Sequence, residues 1–100
     1  MKSFGDLVKQ AQKIQKQMSE VQERLGTDRY EASAGGGLVK AVVDGRQKLI
    51  EIKIQPDALE EDAALLEDLI LTAIGEAQRT SEERMKEALG PITGGMSLPF

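Results

Sequence analysis

The sequence predicts an α+β fold in which a helix, a three-stranded antiparallel β-meander and a second helical segment follow one another in two layers. Three observations carry this. Apolar residues from Phe4 to Leu25 recur at alternating steps of three and four. Three short runs between Thr27 and Gln55 alternate apolar and polar residues around glycine turns, and helical spacing returns from Leu59 to Leu89. With 100 residues the chain supports a single domain, 1–100. Its only aromatics are Phe4, Tyr30 and Phe100, so the core must be aliphatic.

The first element, within 1–25, places Phe4, Leu7, Ala11, Ile14, Met18, Val21 and Leu25 on one seam, with Ser3 as N-cap and Gly26 as the stop. From Phe4 to Leu25 it would run roughly 33 Å at about 1.5 Å per residue, longer than a small sheet needs as cover. Part of it should project.

Residues 27–55 form the sheet. Tyr30, Ala32 and Ala34 alternate with Arg29, Glu31 and Ser33; Gly35-Gly36-Gly37 turns the chain; Val39, Ala41 and Val43 share a face; Asp44-Gly45 is a hairpin signal; and Ile50, Ile52 and Ile54 line the third strand. Lys40, Glu51 and Lys53 fall on the opposite, solvent side, and the aliphatic face needs a helix over it.

Pro56 ends the third strand and opens a helical segment, 57–89. Asp57 with Glu60 has the spacing of a capping box, and Asp62 is placed to cap a longer helix after a break at Glu60-Glu61. The apolar face thins from Thr80 to Lys86, so this end should also leave the core. Gly90-Pro91 reads as the terminator and 90–100 as a loop-like tail.

Composition removes whole classes of function. Without Cys or His there is no disulfide, no thiol or imidazole catalysis and no Cys/His zinc site. No Ser or Thr has an evident base nearby, so an enzyme is not expected, nor a cofactor, a metal or a small-molecule substrate. Gly35-Gly36-Gly37 lacks the Lys-Ser/Thr continuation of a phosphate loop and enters a strand, so it reads as a turn. Glu60, Glu61, Asp62, Glu67 and Asp68 lack EF-hand spacing and read as a solvated helix face. Met18, Met85 and Met96 are scattered and read as core filling. No apolar run approaches the roughly 20 residues that span a bilayer, and no signal-peptide pattern opens the chain; the expected location is cytoplasmic, with no membrane partner.

The net charge of −4 conceals an uneven distribution. Residues 1–25 carry Lys2, Lys9, Lys13, Lys16 and Arg24 against Asp6, Glu20 and Glu23, whereas 57–89 carry ten acidic groups against Arg79, Arg84 and Lys86. Lys2, Lys9 and Lys16 share the heptad position opposite the apolar seam, with Lys13 beside them. Such a stripe is either a solvated face or a surface that tracks phosphates without reading bases, and the pattern leaves both open.

Four segments together resemble the YbaB/EbfC family of bacterial nucleoid-associated proteins: LVKQAQKIQKQM of Leu7 to Met18, GGGLVKAVVDG of Gly35 to Gly45, IEIKIQPDALEEDAALLEDLI of Ile50 to Ile70, and TGGMSLP of Thr93 to Pro99. One position departs, Gly75 standing near where the family usually has Asn; a helical glycine there would mark a bend or close packing. The resemblance implies a tweezer-like homodimer whose projecting helices bind double-stranded DNA with little or weak sequence preference, in the nucleoid, affecting its organisation or gene expression. The positions matching the family's basic helix residues in kind are Lys9, Lys13, Lys16 and Arg24 on the first helix and Arg79, Arg84 and Lys86 on the second. The alternative reading is a protein-interaction module gripping a polypeptide with the same projecting helices, which the acidity of 57–89 favours.

Overall fold

The computed structural model describes residues 3–93. Helix α1 (Phe4–Thr27) leads into β1 (Tyr30–Ala34), β2 (Val39–Val43) and β3 (Leu49–Ile54), then a 3-10 turn at Pro56–Glu60 and helix α2 (Ala63–Thr93). The sheet is an antiparallel meander in the order β1-β2-β3.

α1 opens as its sequence requires: the Ser3 Oγ accepts the Asp6 N–H at 3.2 Å. It ends two residues beyond Leu25 rather than at Gly26. The Thr27 hydroxyl donates to the Arg24 carbonyl, the Asp28 N–H to Leu25 and the Arg29 guanidinium to Gly26, so the last carbonyls are satisfied without a glycine cap.

Between β1 and β2 all three glycines of Gly35-Gly36-Gly37 take positive φ, and a Cβ on Gly35 would stand 2.9 Å from the Leu69 side chain. Pairing of β2 with β3 slips between Val42 and Val43, so Leu49 rather than Ile50 lies opposite Val43, while Ile52 and Ile54 face Ala41 and Val39 as the alternation predicts. Ile50 is the extra residue of this bulge.

α2 packs across β1 and β2. The core between them is Ala34, Val39, Ala41, Val43, Ala73 and Ala77, with Leu66, Leu69, Ile70, Ile74 and Ile52 around it. Small residues at Ala73 and Ala77 let the helix approach the sheet closely. Farther on, α2 leaves the sheet and packs on α1 through a second cluster, Val21, Leu25 and Leu89 bordered by Met18, Met85, Ala88 and Ile92. The loss of apolar density after Thr80 therefore marks a change of partner.

Two further boundaries differ from the sequence reading, at Pro56-Asp57 and at Gly90-Pro91, while the Asp62 cap stands where the spacing predicts. Pro56 and Asp57 form a 3-10 turn with no side-chain cap, because Pro56 occupies the first helical position; the long helix starts after Asp62, whose carboxylate accepts the Leu65 N–H at 2.8 Å. Helix α2 also continues through Gly90-Pro91 to Thr93. Proline forfeits one backbone bond there, and the contacts of Leu89 and Ile92 with α1 hold the last turn in register. Gly75 is exposed, with nothing within 4 Å of where a Cβ would stand, so close packing does not explain it. Met96 and the rest of the 94–100 tail lie outside the described residues.

The two helices together draw the molecule out to 68 × 22 × 16 Å with a radius of gyration of 18.9 Å. A compact chain of this length would have about 13 Å. The excess comes from α1, whose N-terminal half runs free: Phe4 is 81% exposed, Leu7 54% and Ile14 41%.

Candidate nucleic-acid interface

The surface in question is built on the free half of α1 and on the outer side of α2. Lys9, Lys13 and Lys16 are all exposed on α1, and none is ion-paired among the described residues. Lys2 lies outside those residues. From Phe4 to Ser19 the only carboxylate is Asp6, so this stretch presents an almost purely cationic field. Lys9 and Lys16 stand about 10 Å apart along the helix at about 1.5 Å per residue, a span covering roughly three phosphates of one strand at about 3.4 Å each.

Arg24 is placed differently. It lines the cleft between α1 and α2 together with Gln17, Glu20, Val21, Glu87 and Pro91, so two carboxylates share its surroundings. On α2, Arg84 pairs with Glu87 at 3.1 Å and Lys86 with Glu82 at 3.3 Å, both exposed. Exposed pairs contribute only about 0–1 kcal/mol and yield readily to a phosphate, yet each brings a negative charge beside the cation. Arg79 is exposed without an ion pair among the described residues. The structure thus divides the seven basic residues into an unopposed stripe on α1, a mixed-charge set of Arg24, Arg84 and Lys86, and Arg79 by itself on α2.

The root is held by the turn between β2 and β3. The buried Asp44 carboxylate accepts the N–H groups of Arg46 and Lys48 at 2.8 and 2.9 Å. From this turn the Gly45 N–H donates to the Leu25 carbonyl of α1 at 2.8 Å, and the Asp44 carbonyl accepts the buried Ser81 hydroxyl of α2 at 2.6 Å. Gln78 of α2 donates to the Gln47 carbonyl at 3.1 Å. One tight turn therefore fixes both helices. Gly45 earns its place through proximity, since a Cβ would lie 2.7 Å from the Leu25 oxygen; the positive φ of the turn falls on Gln47 instead. Beside it Arg46 rests against Gly26, and Tyr30 donates to Asp28 at 3.4 Å. Burial first, then the Asp28 charge, raises the Tyr30 phenol above its ordinary value.

Sequence reasoning missed Ser81 and the anchoring role of Asp44. The signal for Ser81 was present: Ala73, Ala77, Ser81, Met85 and Leu89 recur every four residues, and a hydroxyl in such a row needs a partner. Among the described residues no cluster of carboxylates is placed to hold a metal ion, and no helix is long and apolar enough to cross a membrane.

The sequence model of the YbaB/EbfC DNA-binding family matches residues 1–96. The chain belongs to this family. Among relatives, a nucleoid-associated protein of Thermoanaerobacter pseudethanolicus is 42% identical over 98 residues, covering 97% of this chain and 88% of the relative. One from Desulforamulus reducens is 43% identical over 98 residues, covering 97% and 93%. Among solved structures, an uncharacterized protein of Helicobacter pylori superposes with a TM-score of 0.86 at 21% identity, over 94% of this chain and all of that one. At that identity the likeness speaks for the fold, the helix–sheet–helix order derived above. The family is a DNA-binding one.

Proposed function

We propose that this YbaB/EbfC protein binds duplex DNA as a homodimer, with little sequence preference, and acts in the cytoplasm on nucleoid organisation or gene expression. The observation that carries the reading is the unopposed stripe Lys9, Lys13 and Lys16 on a helix half that the described residues leave in solvent. Lysine supplies charge and reach without the bidentate fork that reads guanine, so the contacts position the protein on phosphates. Arg24, Arg79, Arg84 and Lys86 are secondary contributors because carboxylates stand beside most of them.

The dimer is supported by the sheet. α2 packs over β1 and β2, while Leu49 and Ile54 on β3 and Leu59 beyond it remain exposed, an aliphatic edge that a second copy would cover. The root of the α1 seam is occupied by α2 of the same chain, which supports an interface on the sheet and its flanking helices.

Two arms neutralising about four to six phosphates give a slope of log K against log salt of about −4 to −5. Fluorescence anisotropy on two unrelated duplexes tests this. Changing Lys9, Lys13 and Lys16 together to Glu abolishes binding to both duplexes and leaves the folded dimer intact; undiminished binding by a folded dimeric variant overturns the reading. Ile52→Asp, which puts a carboxylate beside the first core and the proposed interface, yields insoluble or unfolded chain. A soluble dimeric Ile52→Asp protein would place the interface elsewhere.

A second reading, capture of a polypeptide by the projecting helices, is favoured by the exposed Phe4, Leu7 and Ile14. Apolar helix-in-groove binding has little salt dependence, so the same titration separates the two.

A further inference from the structure

The outer half of α1, beyond the reach of α2, still carries a heptad seam. Phe4, Leu7, Ala11 and Ile14 hold its apolar positions and stand exposed, and Met18 borders the cluster that Val21 and Leu25 form with Leu89. Paired helices sort their partners by the charges that flank such a seam. Here the flanking positions hold Val8, Gln15 and Gln22 on one side and Ser3, Gln10 and Gln17 on the other, none of them charged. Asp6, Lys9, Lys13 and Lys16 fall farther round the helix. A seam with neutral flanks meets no repulsion from a copy of itself. We propose that the free half of α1 pairs antiparallel with the same half of α1 from a second molecule.

The order of side-chain sizes supports this sense. With Ala11 opposite Ala11, Phe4 stands level with Met18 of the second copy and Val8 with its Ile14. Large residues meet on either side of the centre, and the two alanines at the crossing let the helix axes approach closely. Charge agrees: Asp6 stands level with Lys16 of the second copy and within one turn of its Lys13. Phe4 then covers Met18 where the cover from α2 begins, so the two covers join without a gap. A parallel pair would bring both sheets to the same end of the arms, whereas the antiparallel pair sends them to opposite ends.

This contact is separate from the sheet interface of the proposed dimer and joins one such unit to the next. Lys9 and Lys16 face outward from both helices of the pair, so the stripe stays open. The pairing does not depend on DNA binding. It buries less than the roughly 1,200 Å² at which stable interfaces begin, which makes it weak and dependent on concentration.

The chain has no cysteine, so crosslinks can be placed without background. In the full-length protein, Ala11→Cys is oxidised and the disulfide between chains is followed on a non-reducing gel, with Lys9→Cys as the control for the opposite side of the helix. Closure should be at least tenfold faster at position 11. A mixture of Phe4→Cys and Met18→Cys proteins should form the mixed disulfide at least tenfold faster than Phe4→Cys protein alone forms its own. Equal rates at positions 11 and 9 overturn the proposal by showing that no second copy sits on the seam. Faster self-closure of Phe4→Cys overturns it by showing that the arms pair in parallel. Sedimentation velocity of the unmodified chain gives an independent reading: an assembly of twice the mass of the basic unit grows with concentration, and Leu7→Gln combined with Ile14→Gln removes it while the basic unit persists. Its absence from the unmodified chain, or its persistence in the double variant, overturns the proposal. Each of these outcomes leaves the anisotropy result on the lysine stripe unaffected.

Discussion

Val21 and Leu25 in the root of α1 are buried against Leu89 of α2, whereas Leu7 and Phe4, on the same seam of the same helix, stand exposed within their own chain. The charges divide at the same place: the free half carries Lys9, Lys13 and Lys16 with Asp6, and the root carries Glu20, Glu23 and Arg24. Apolar periodicity selects which side of a helix seeks cover, while the partner element decides where cover is given. Here it is given only where α2 lies alongside, and the cationic half is left reaching outward.

The sharpest way to break this contrast is to truncate one residue in each half. Leu25→Ala should cost about 2–5 kcal/mol in urea denaturation, as for a fully buried leucine, and Leu7→Ala about 1 kcal/mol or less. Equal costs would mean that both halves are equally buried in solution. Gly45→Ala loads the root alone, pushing a methyl against the Leu25 carbonyl, and should cost about 1–3 kcal/mol by the same measurement. A neutral Gly45→Ala would show that α1 can shift on the turn without loss. The smallest effect has the opposite sign. Gly75→Ala meets open space on α2 and should stabilise by about 0.5–1 kcal/mol, raising Tm by a few degrees in a thermal scan. A destabilised Gly75→Ala chain would place something against that exposed position.

Much of this architecture could be read from the sequence because it rests on local chemistry: the seam of α1, the alternation of β1 and β2, the glycine turn and the Asp62 cap each lie within a few residues of their cause. The misreadings depend on partners distant in sequence. The bulge at Ile50 is set by β2 across the hairpin. The passage of α2 through Gly90-Pro91 depends on α1, some 65 residues earlier in the chain. Asp44-Gly45 announced a turn correctly, but the need for glycine comes from the end of α1. For the candidate interface, residue types and the helix face were legible. The carboxylates beside Arg84 and Lys86 were legible too, at spacings of three and four, and they separate those two cations from the lysine stripe.

The turn at Asp44 also has a kinetic side. Its internal hydrogen bonds, from Arg46 and Lys48 to the Asp44 carboxylate, span two and four residues and can close on the microsecond scale of a hairpin. The Ser81 bond to the Asp44 carbonyl closes a loop of 37 residues, and its loop-closure entropy must be met before the contact returns anything. We therefore expect the hairpin tip to form early and the helices to dock on it late. In a chevron, Ser81→Ala should speed unfolding while leaving the folding rate nearly unchanged, a φ-value close to zero. A value near one would mean that α2 is already seated on the turn at the folding barrier.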